Sequence, residues 1–450
     1  MRILLVNPWI YDFSAYDLWS KPLGLLYLSN IFRNLGCEVR LIDCLDRHHP
    51  SLGQFYKTKS NPYGCGKYYS QIVEKPTILK SIPRRYKRFG LPEKMFVKEL
   101  EKVSPADIIL VTSGMTYWYQ GVFEVIAILK KIFSPVPVVL GGTYATLCSE
   151  HAKKYSQVDY VFSGGDVQEL IGLMEKLTGE RFDLGKIPKN FAEFPPPNYD
   201  FYMQCEYVVL RTSIGCPFHC TYCAIHKFAT NFQQKPAEKV VNEIEYLVKR
   251  YQTNLPDGKA GNIVFYDDAL LYNSQEHLTK ILEEVKRRKL NLYFHTPNGL
   301  HPRFLTEELT IMFHQTNFIQ PRLSLETSNP EKQKQTGNKV TNEEFTCALK
   351  YLQKAGYSAK DIGVYLMIGC PGQTFDEIYE SINFVHGLGA KVLLVEYSPI
   401  PGTKDDETYK FNLSDPLLHN NSIFSLHPLT LWDKFQKLKD YAHQINQKLM

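Results

Sequence analysis

The apolar and polar positions of residues 1–185 follow two alternating periods. Continuous apolar runs such as RILLVNP and ADIILVTSG predict buried strands. Between such runs, apolar residues recur at helical spacing, as in PLGLLYLSNIFRNLG, which ends at Gly36, a residue typical of helix termination. Strands that alternate with helices favour a parallel sheet covered on both faces. We therefore expect an α/β fold with a Rossmann-like domain over residues 1–185.

A second series of strands and helices begins near residue 206. The preceding stretch FPPPNYDFY cannot lie in a helix or a central strand, because consecutive prolines lack backbone donors, and it predicts a Pro-rich linker over residues 186–205. Six strand candidates follow: EYVVLRTS, NIVFYDD, LYFHTP, PRLSLE, IGVYLMIG and VLLVEYS. They predict a partial (β/α)6 barrel over residues 206–405, with its chemistry at the C-terminal ends of the strands. A short helical tail is expected over 406–450.

Local signals refine the helices of this second region. Thr341 with Glu344, and Thr374 with Glu377, have the spacing of capping boxes, so each pair predicts a helix start. Pro236 suits the first turn of another helix.

Composition is that of an ordinary soluble globular protein, with 44% hydrophobic and 22% charged residues. There is no apolar run long enough for a spanning helix, and ten cysteines are too few for a disulfide scaffold. The N-terminal apolar run lacks a small-residue cleavage site, so we expect a first strand and a cytoplasmic location.

The excess of positive charge is local. Residues 45–100 contain twelve Lys or Arg and four Asp or Glu, whereas the whole chain has a formal charge of only +5. A nucleic-acid or phosphate-bearing partner would explain this charge. The segment shows no recognition motif, however, so the favoured interpretation is a solvated basic insertion at about 45–100 without a nucleic-acid partner.

Three cysteines are concentrated in RTSIGCPFHCTYCAIH: Cys216, Cys220 and Cys223. A structural zinc site normally takes four protein ligands, and no second cysteine pair is present. Three unligated thiols in one loop would be prone to oxidation. An iron–sulfur cluster is held by thiolates, and three ligands on a four-iron cluster leave one iron free to bind a small molecule. The residues alone leave these explanations open.

The segment CPFHCTYC resembles the Cys-x3-Cys-x2-Cys motif of radical S-adenosylmethionine (SAM) enzymes, including the aromatic Tyr222 before the third cysteine. The resemblance covers roughly residues 206–405. It implies a [4Fe–4S] cluster on Cys216, Cys220 and Cys223, with SAM chelated at the open iron and cleaved reductively to a 5′-deoxyadenosyl radical. It also implies a reductant protein such as flavodoxin or ferredoxin.

The resemblance implies SAM contacts at successive strand ends. Two aspartates stand where the family often has Gly-Gly-Glu, although the glycine pair is missing here; a helix N-cap is the alternative role. Ser324 and Glu326 would point the same way in a regular strand, and a buried Glu326 needs a partner, either a ribose or a following basic residue. The candidate SAM-binding residues are Tyr222, Asp267, Asp268, Asn298, Ser324, Glu326, Ile368, Gly369 and Tyr397.

A Rossmann-like domain before such a barrel resembles the cobalamin-dependent class of the superfamily. That class implies a serine and glycines at strand ends, close to the cobalamin; ordinary tight turns would also explain them. The loop after the first strand lacks the Asp-x-His-x-x-Gly signature that supplies a histidine to cobalt in many cobalamin proteins. The candidate cobalamin-binding residues are Ser113, Gly141, Gly142, Gly164 and Gly165.

Three functional hypotheses follow. The first is cobalamin-dependent methyl transfer to an unactivated carbon of a small molecule or peptide, with a cobalamin-assisted rearrangement or cyclisation as a variant. The second is a methylthiotransferase-like enzyme with a further N-terminal cluster, for which Cys37, Cys44 and Cys65 are poorly spaced. The third is a metal-binding redox sensor without enzymatic activity. The sequence leaves the substrate unidentified.

Overall fold

The computed structural model describes residues 1–103, 105–251, 260–424 and 431–449. They divide into two compact units: unit 1 comprises Met1–Val209 with Ser414–Leu417, and unit 2 comprises Leu210–Leu413 with Leu418–Met450. The Pro-rich stretch 186–205 thus lies inside unit 1. Of the predicted tail 406–450, residues 425–430 and 450 lie outside the described residues.

Unit 1 is an α/β structure. Its strands are β1 (Arg2–Asn7), β2 (Ile10–Asp12), β3 (Tyr16–Asp17), β4 (Glu38–Asp43), β5 (Gly66–Lys67), β6 (Ser70–Ile72), β7 (Lys87–Phe89), β8 (Ile108–Val111), β9 (Val138–Leu140) and β10 (Tyr160–Val161). Its helices are α1 (Leu23–Asn34), α2 (Glu93–Val103), α3 (Tyr119–Phe133), α4 (Thr143–Leu147), α5 (Ser149–Tyr155) and α6 (Val167–Thr178).

The main sheet of unit 1 is parallel, as the sequence predicts, with the order β10-β9-β8-β1-β4. Successive residues of β1 enter opposite cores: Leu4 and Val6 pack on one side of the sheet, whereas Ile3 and Leu5 pack on the other. After β1 the chain adds β4 on one side and β8 on the other. In sheets of this order, ligands bind at the carboxyl ends of the strands where the direction of addition changes.

The basic segment 45–100 is folded rather than extended. β6 and β7 pair with each other, and β7 pairs with β2, all antiparallel. The Arg47 guanidinium is buried against Asp17, with a 2.7 Å contact between Nε and Oδ2. The insertion is therefore anchored to the loop that follows β1.

Unit 2 contains the predicted strands in the predicted sequence of elements. The strands from the boundary onward are β11 (Val208–Leu210), β12 (Ser213–Ile214), β13 (Gln233–Gln234), β14 (Gly261–Phe265), β15 (Leu292–His295), β16 (Arg322–Glu326), β17 (Gly363–Ile368) and β18 (Lys391–Glu396). The helices are α7 (Ala237–Tyr251), α8 (Leu278–Arg287), α9 (Glu307–Gln315), α10 (Pro330–Gln335), α11 (Asn342–Lys354), α12 (Phe375–Gly387), α13 (Lys404–Tyr409), α14 (Asn421–Phe424) and α15 (Trp432–Gln447).

The strands of unit 2 form two groups, β11-β14-β15 and β16-β17-β18. Parallel bridges from Phe294 to Phe318 and from Leu300 to Leu323 join the groups. Strand order therefore follows chain order, as in a βα barrel, and the carboxyl ends of the strands meet at one rim.

Helix boundaries in unit 2 follow the local signals. Both predicted capping boxes are present, at the start of α11 and of α12, and α7 begins directly after Pro236. Within the described residues, no helix combines the length and the apolar character needed to cross a membrane.

Candidate active site

The three clustered cysteines lie in the loop that leads from β12 to β13. All three thiols are free and partly exposed. Burial raises the pKa of Cys216 to about 11, and the neighbouring Cys220 and Cys223 add to the shift. Burial also raises the pKa of Cys223. None of the three is bridged to another cysteine.

This cysteine loop, residues 211–226, is fixed by contacts along its length. The Phe218 ring packs against His301 and Phe304, with ring centroids 4.8 and 5.5 Å apart. The His226 ring nitrogen Nε2 is 2.8 Å from the Phe218 carbonyl oxygen. On another side, a Cβ at Gly337 would lie 3.0 Å from the His219 carbonyl and 3.2 Å from Cys220 Cα, so glycine lets that backbone approach.

The three cysteines fit an iron–sulfur cluster better than a single metal ion. Among the described residues, no group of three or more His, Cys, Asp or Glu converges closely enough to hold one metal ion. A structural zinc would need such convergence. A four-iron cluster instead takes thiolates on different irons, so its ligands lie further apart. Three free thiols in a loop held by its surroundings suit that second arrangement.

The adjacent aspartates after β14 have different surroundings. Asp267 is only 2% exposed, and its Oδ1 accepts hydrogen bonds from the hydroxyls and amides of Thr212 and Ser213, at 2.6–3.1 Å. Asp268 Oδ2 accepts no hydrogen bond within the described residues, and the Arg211 Nη1 lies 3.7 Å from it. Burial raises the pKa of Asp268, and Arg211 opposes the shift. Of the two, only Asp268 has a carboxylate oxygen that accepts no hydrogen bond from the described residues.

At the ends of β15 and β16, Asn298 and Ser324 are engaged within the fold. The Asn298 amide nitrogen donates to the Asp267 carbonyl oxygen at 2.9 Å. Ser324 is buried, and a Cβ at Gly299 would lie 1.9 Å from its hydroxyl oxygen. The close approach that Gly299 permits is therefore to the neighbouring strand.

Glu326 departs from the regular strand that the sequence predicts. The register between β16 and β17 shifts between Ser324 and Glu326, and Glu326 has a φ of 65°. Ser324 and Glu326 therefore do not share one face, because a bulge breaks the two-residue alternation. The Glu326 carboxylate contacts the Lys339 ammonium at 3.1 Å, so a following basic residue, one of the two partners considered from the sequence, is present. Left-handed backbone at a non-glycine residue costs about 1–3 kcal/mol.

A cavity lies beside the cysteine loop and is bordered by Thr221, Tyr222, Glu326 and Tyr397. The Thr221 hydroxyl is buried without a hydrogen-bond partner in the described part of the chain. Tyr397 donates to Asp405 Oδ2 at 2.9 Å, and burial raises the pKa of this tyrosine.

The end of β17 contributes to the cavity through different side chains from those expected. Ile368 is 0% exposed, so protein atoms already cover it. Met367 and Cys370 line the cavity instead, and Gly369 turns the chain with a φ of 78°. Thr221, Asp405 and Lys339 were not among the sequence candidates. Of these three residues, only Thr221 has a signal in the sequence, namely its position next to Cys220.

The candidate residues of unit 1 gather at the carboxyl ends of β8, β9 and β10. The Ser113 hydroxyl donates to the Gly141 carbonyl at 2.7 Å and accepts from the Tyr144 amide at 3.1 Å. Gly142 has a φ of 88°, and a Cβ there would lie 2.5 Å from the Ser113 carbonyl. Around Gly164 a Cβ would meet nothing within 4 Å, and Gly165 is exposed just before the α6 N-cap.

The comparisons with known proteins agree with this geometry. Residues 210–385 match the Radical SAM superfamily. The chain is 23% identical to an uncharacterized methyltransferase of Pyrococcus horikoshii (80% of this chain, 81% of that protein). It is 21% identical to the cytidylyl-2-hydroxyethylphosphonate methyltransferase of Streptomyces wedmorensis (90% and 80%). It is 23% identical to the ribosomal protein uS12 methylthiotransferase RimO of Clostridium botulinum (67% and 61%).

Among solved structures, the cobalamin-dependent SAM radical enzyme OxsB, with aqua-cobalamin and SAM bound, is similar with a TM-score of 0.58 at 15% identity. The match covers 93% of this chain but only 56% of OxsB, and at this identity it shows a shared fold. Together with the cysteine loop at the barrel rim, the family match shows that residues 210–385 form a radical SAM domain.

Proposed function

We propose that this protein is a cobalamin-dependent radical SAM enzyme that transfers a methyl group to an unactivated carbon. The observation that carries the proposal is the presence of two sites in one chain. Unit 2 has three free thiols on the rim of a βα barrel, and unit 1 has a doubly wound sheet with glycines at its strand ends. Two relatives named as methyltransferases, each aligned over 80% or more of this chain, support methyl transfer.

In this proposal, Cys216, Cys220 and Cys223 hold the cluster, and strand-end groups around the cavity hold SAM. Asp268 is suited to the SAM ammonium, because it combines a partly buried carboxylate with an oxygen that accepts no hydrogen bond in the described residues. Glu326 is suited to ribose hydroxyls, since Lys339 stabilises its charge beside the cavity.

The remaining candidates act as cavity wall or support. Tyr222 and Tyr397 border the cavity, and Gly369 gives the turn that brings Cys370 to it. Asn298, Ser324 and Ile368 shape the strand ends behind these groups.

When bound, the reduced cluster supplies the electron that cleaves SAM to a 5′-deoxyadenosyl radical, and cobalamin supplies the methyl group. The chain must place one substrate C–H bond against the radical and exclude water. A cavity lined by the buried Tyr397 and the half-buried Met367 suits that task.

The carboxyl edge of the unit 1 sheet fits cobalamin by shape. Gly141 and Gly164 leave bare backbone, since an added Cβ would meet its nearest atom at 3.9 Å in the first case and nothing within 4 Å in the second. A planar ligand can approach such backbone closely. Ser113, which follows β8, bonds to Gly141 and Tyr144 and so fixes the turn at Gly142 between β9 and α4 that presents this backbone, and Gly165 continues the bare edge.

A one-electron donor is also required, and we propose a flavodoxin or ferredoxin. The substrate is a small molecule or peptide. We propose a cytoplasmic location, where such a donor would be supplied.

The test is anaerobic purification with cobalamin supplied, followed by reconstitution with iron and sulfide. We expect visible absorption from both a cluster and cobalamin, about four irons per chain, and formation of 5′-deoxyadenosine from SAM. A methyl group should appear on an added substrate; a product of unchanged composition would instead indicate rearrangement. Protein that retains no cobalamin while cleaving SAM would overturn the cobalamin part alone.

A methylthiotransferase is the alternative function, and the similarity to RimO is the observation that supports it. The chain spans 61% of RimO. That reaction needs a second N-terminal cluster. Cys37 and Cys44 belong to hydrophobic cores on opposite faces of the unit 1 sheet, so they do not converge. An iron content near eight per chain would favour this alternative.

A further inference from the structure

Asp267 is a buried carboxylate whose two oxygens accept hydrogen bonds from the chain itself. Its exposure is 2%, and Thr212 and Ser213, which it contacts, are both fully buried. Four donors meet on its Oδ1: the Thr212 amide at 3.1 Å, the Thr212 hydroxyl at 2.7 Å, and the Ser213 amide and hydroxyl at 2.6 Å each. Its Oδ2 lies 3.2 Å from the Thr212 amide.

These donors lie at the entrance to the cysteine loop. Ser213 is three residues before Cys216, and the intervening Gly215 has a φ of 78° with no room for a Cβ, which would lie 2.8 Å from the Asn231 carbonyl. The other side of the same segment is tied down by the Lys235 amide, which donates to the Thr212 carbonyl at 2.9 Å, and by pairing of Ser213 with Gln234. Movement of Ser213 would therefore be transmitted to Cys216.

We propose that Asp267 is a positioning residue that holds the cysteine loop in its cluster-binding form by fixing Thr212 and Ser213. The inference rests on the proposed function, since it assumes that the loop binds a cluster. It differs from a SAM-binding role in one respect. The donors are neutral groups of the chain and lie mainly at Oδ1, so the amide oxygen of an asparagine can keep part of these contacts, whereas recognition of an ammonium depends on negative charge.

The experiment compares Asp267→Ala with Asp267→Asn in the full chain after anaerobic reconstitution. Iron, sulfide and cluster absorption are measured, along with SAM affinity. For Asp267→Ala we expect cluster retention to fall by about 10- to 100-fold, the usual effect of removing an outer-sphere support. Asp267→Asn should retain the cluster and bind SAM with nearly wild-type affinity.

A double variant, Thr212→Val with Ser213→Ala, tests the same contacts from the donor side. It removes both hydroxyls, leaves Asp267 in place and should lower cluster retention by a smaller factor than Asp267→Ala. Far-UV circular dichroism and hydrogen exchange over residues 211–223 of the cluster-free protein separate local loosening of the loop from global unfolding. We expect faster exchange in this loop with unchanged helix content.

Two outcomes would overturn the inference: wild-type cluster retention in Asp267→Ala, or loss of cluster and of SAM binding in Asp267→Asn to the same degree as in Asp267→Ala. Should the alanine variant unfold, the asparagine and double variants still decide between these outcomes. Failure of the proposed function is distinct, because the wild-type protein would then bind no cluster.

Discussion

The two units differ in whether the polar groups near their strand ends have hydrogen-bond partners within the chain. In unit 1 they are satisfied locally: Ser113 bonds to Gly141 and Tyr144, and Ser163 donates to the Ala145 carbonyl at 2.9 Å. In unit 2, buried polar atoms of Thr221 and Asp268 lack hydrogen-bond partners among the described residues.

A buried polar atom without a partner costs about 1–3 kcal/mol. A protein keeps such an atom at a site where a bound ligand supplies the missing hydrogen bond. Unit 2 is therefore built to bind a small polar molecule through directed contacts. Unit 1 instead offers bare glycine backbone, which suits a large ligand bound by shape. We therefore expect substitutions in unit 2 to act by removing a ligand atom, a charge or a hydrogen bond. Substitutions in unit 1 should act by changing the backbone conformation.

The largest effect is expected from Cys220→Ala. One thiolate is lost from a set of three, so the reconstituted variant should show no stable cluster absorption and no 5′-deoxyadenosine formation. Cys347→Ala is the matched control, because Cys347 is an exposed cysteine of the same unit, on α11. A Cys220→Ala variant with full activity would refute the assignment of the cysteine loop as the cluster-binding site.

Backbone geometry in unit 1 is tested by Gly142→Ala against Gly141→Ala. Gly142 combines φ 88° with ψ −165°, a region that only glycine adopts readily, and its added Cβ would lie 2.5 Å from the Ser113 carbonyl. We expect a loss of about 3 kcal/mol in the free energy of unfolding from strain and overlap together.

Gly141→Ala adds a Cβ whose nearest neighbour is 3.9 Å away, so it should be nearly neutral for stability. Thermal unfolding and titration with hydroxocobalamin report on both variants. Equal melting temperatures for the two would mean that the turn at Gly142 is not the constraint that its geometry indicates.

Directed contacts in unit 2 are tested by Asp268→Asn. The variant keeps its shape but loses the charge that we assign to the SAM ammonium, and a charged hydrogen bond contributes about 2 kcal/mol. The Kd for SAM, measured by calorimetry on the cluster-loaded protein, should rise by about 30-fold. Cluster content should stay unchanged. Unaltered SAM affinity would place the ammonium elsewhere.

Sequence predicts most of the elements but not the roles of their strand-end side chains. The capping boxes at Thr341 and Thr374 are local patterns, and both are present. The role of Asp267 depends on hydrogen bonds to residues 54 and 55 positions away, which no local pattern encodes. The bulge at Glu326 arises from pairing with β17, so strand alternation in one segment could not reveal it.

The smallest effect concerns pH and the histidines buried in unit 2. Burial lowers the pKa of His295 and of His301 to about 3, from an ordinary value of 6.5. Below pH 6.5 the unfolded chain binds protons that the folded chain excludes, so stability falls as the pH drops from 6.5 toward 3. Each histidine contributes up to about 1.4 kcal/mol per pH unit in this window, and nothing above it.

His301→Phe isolates one of these contributions. Phenylalanine keeps the aromatic packing with Phe218 and Phe304 but cannot be protonated. Urea unfolding of the cluster-free protein at pH 7 and at pH 5 should show a smaller acid-induced loss for the variant, by up to about 2 kcal/mol across this interval. Because the unfolded histidine is mostly deprotonated above pH 7, the two proteins should respond nearly alike between pH 7 and 8. Parallel curves below pH 6.5 would show that His301 is protonated in the folded state, in conflict with its burial.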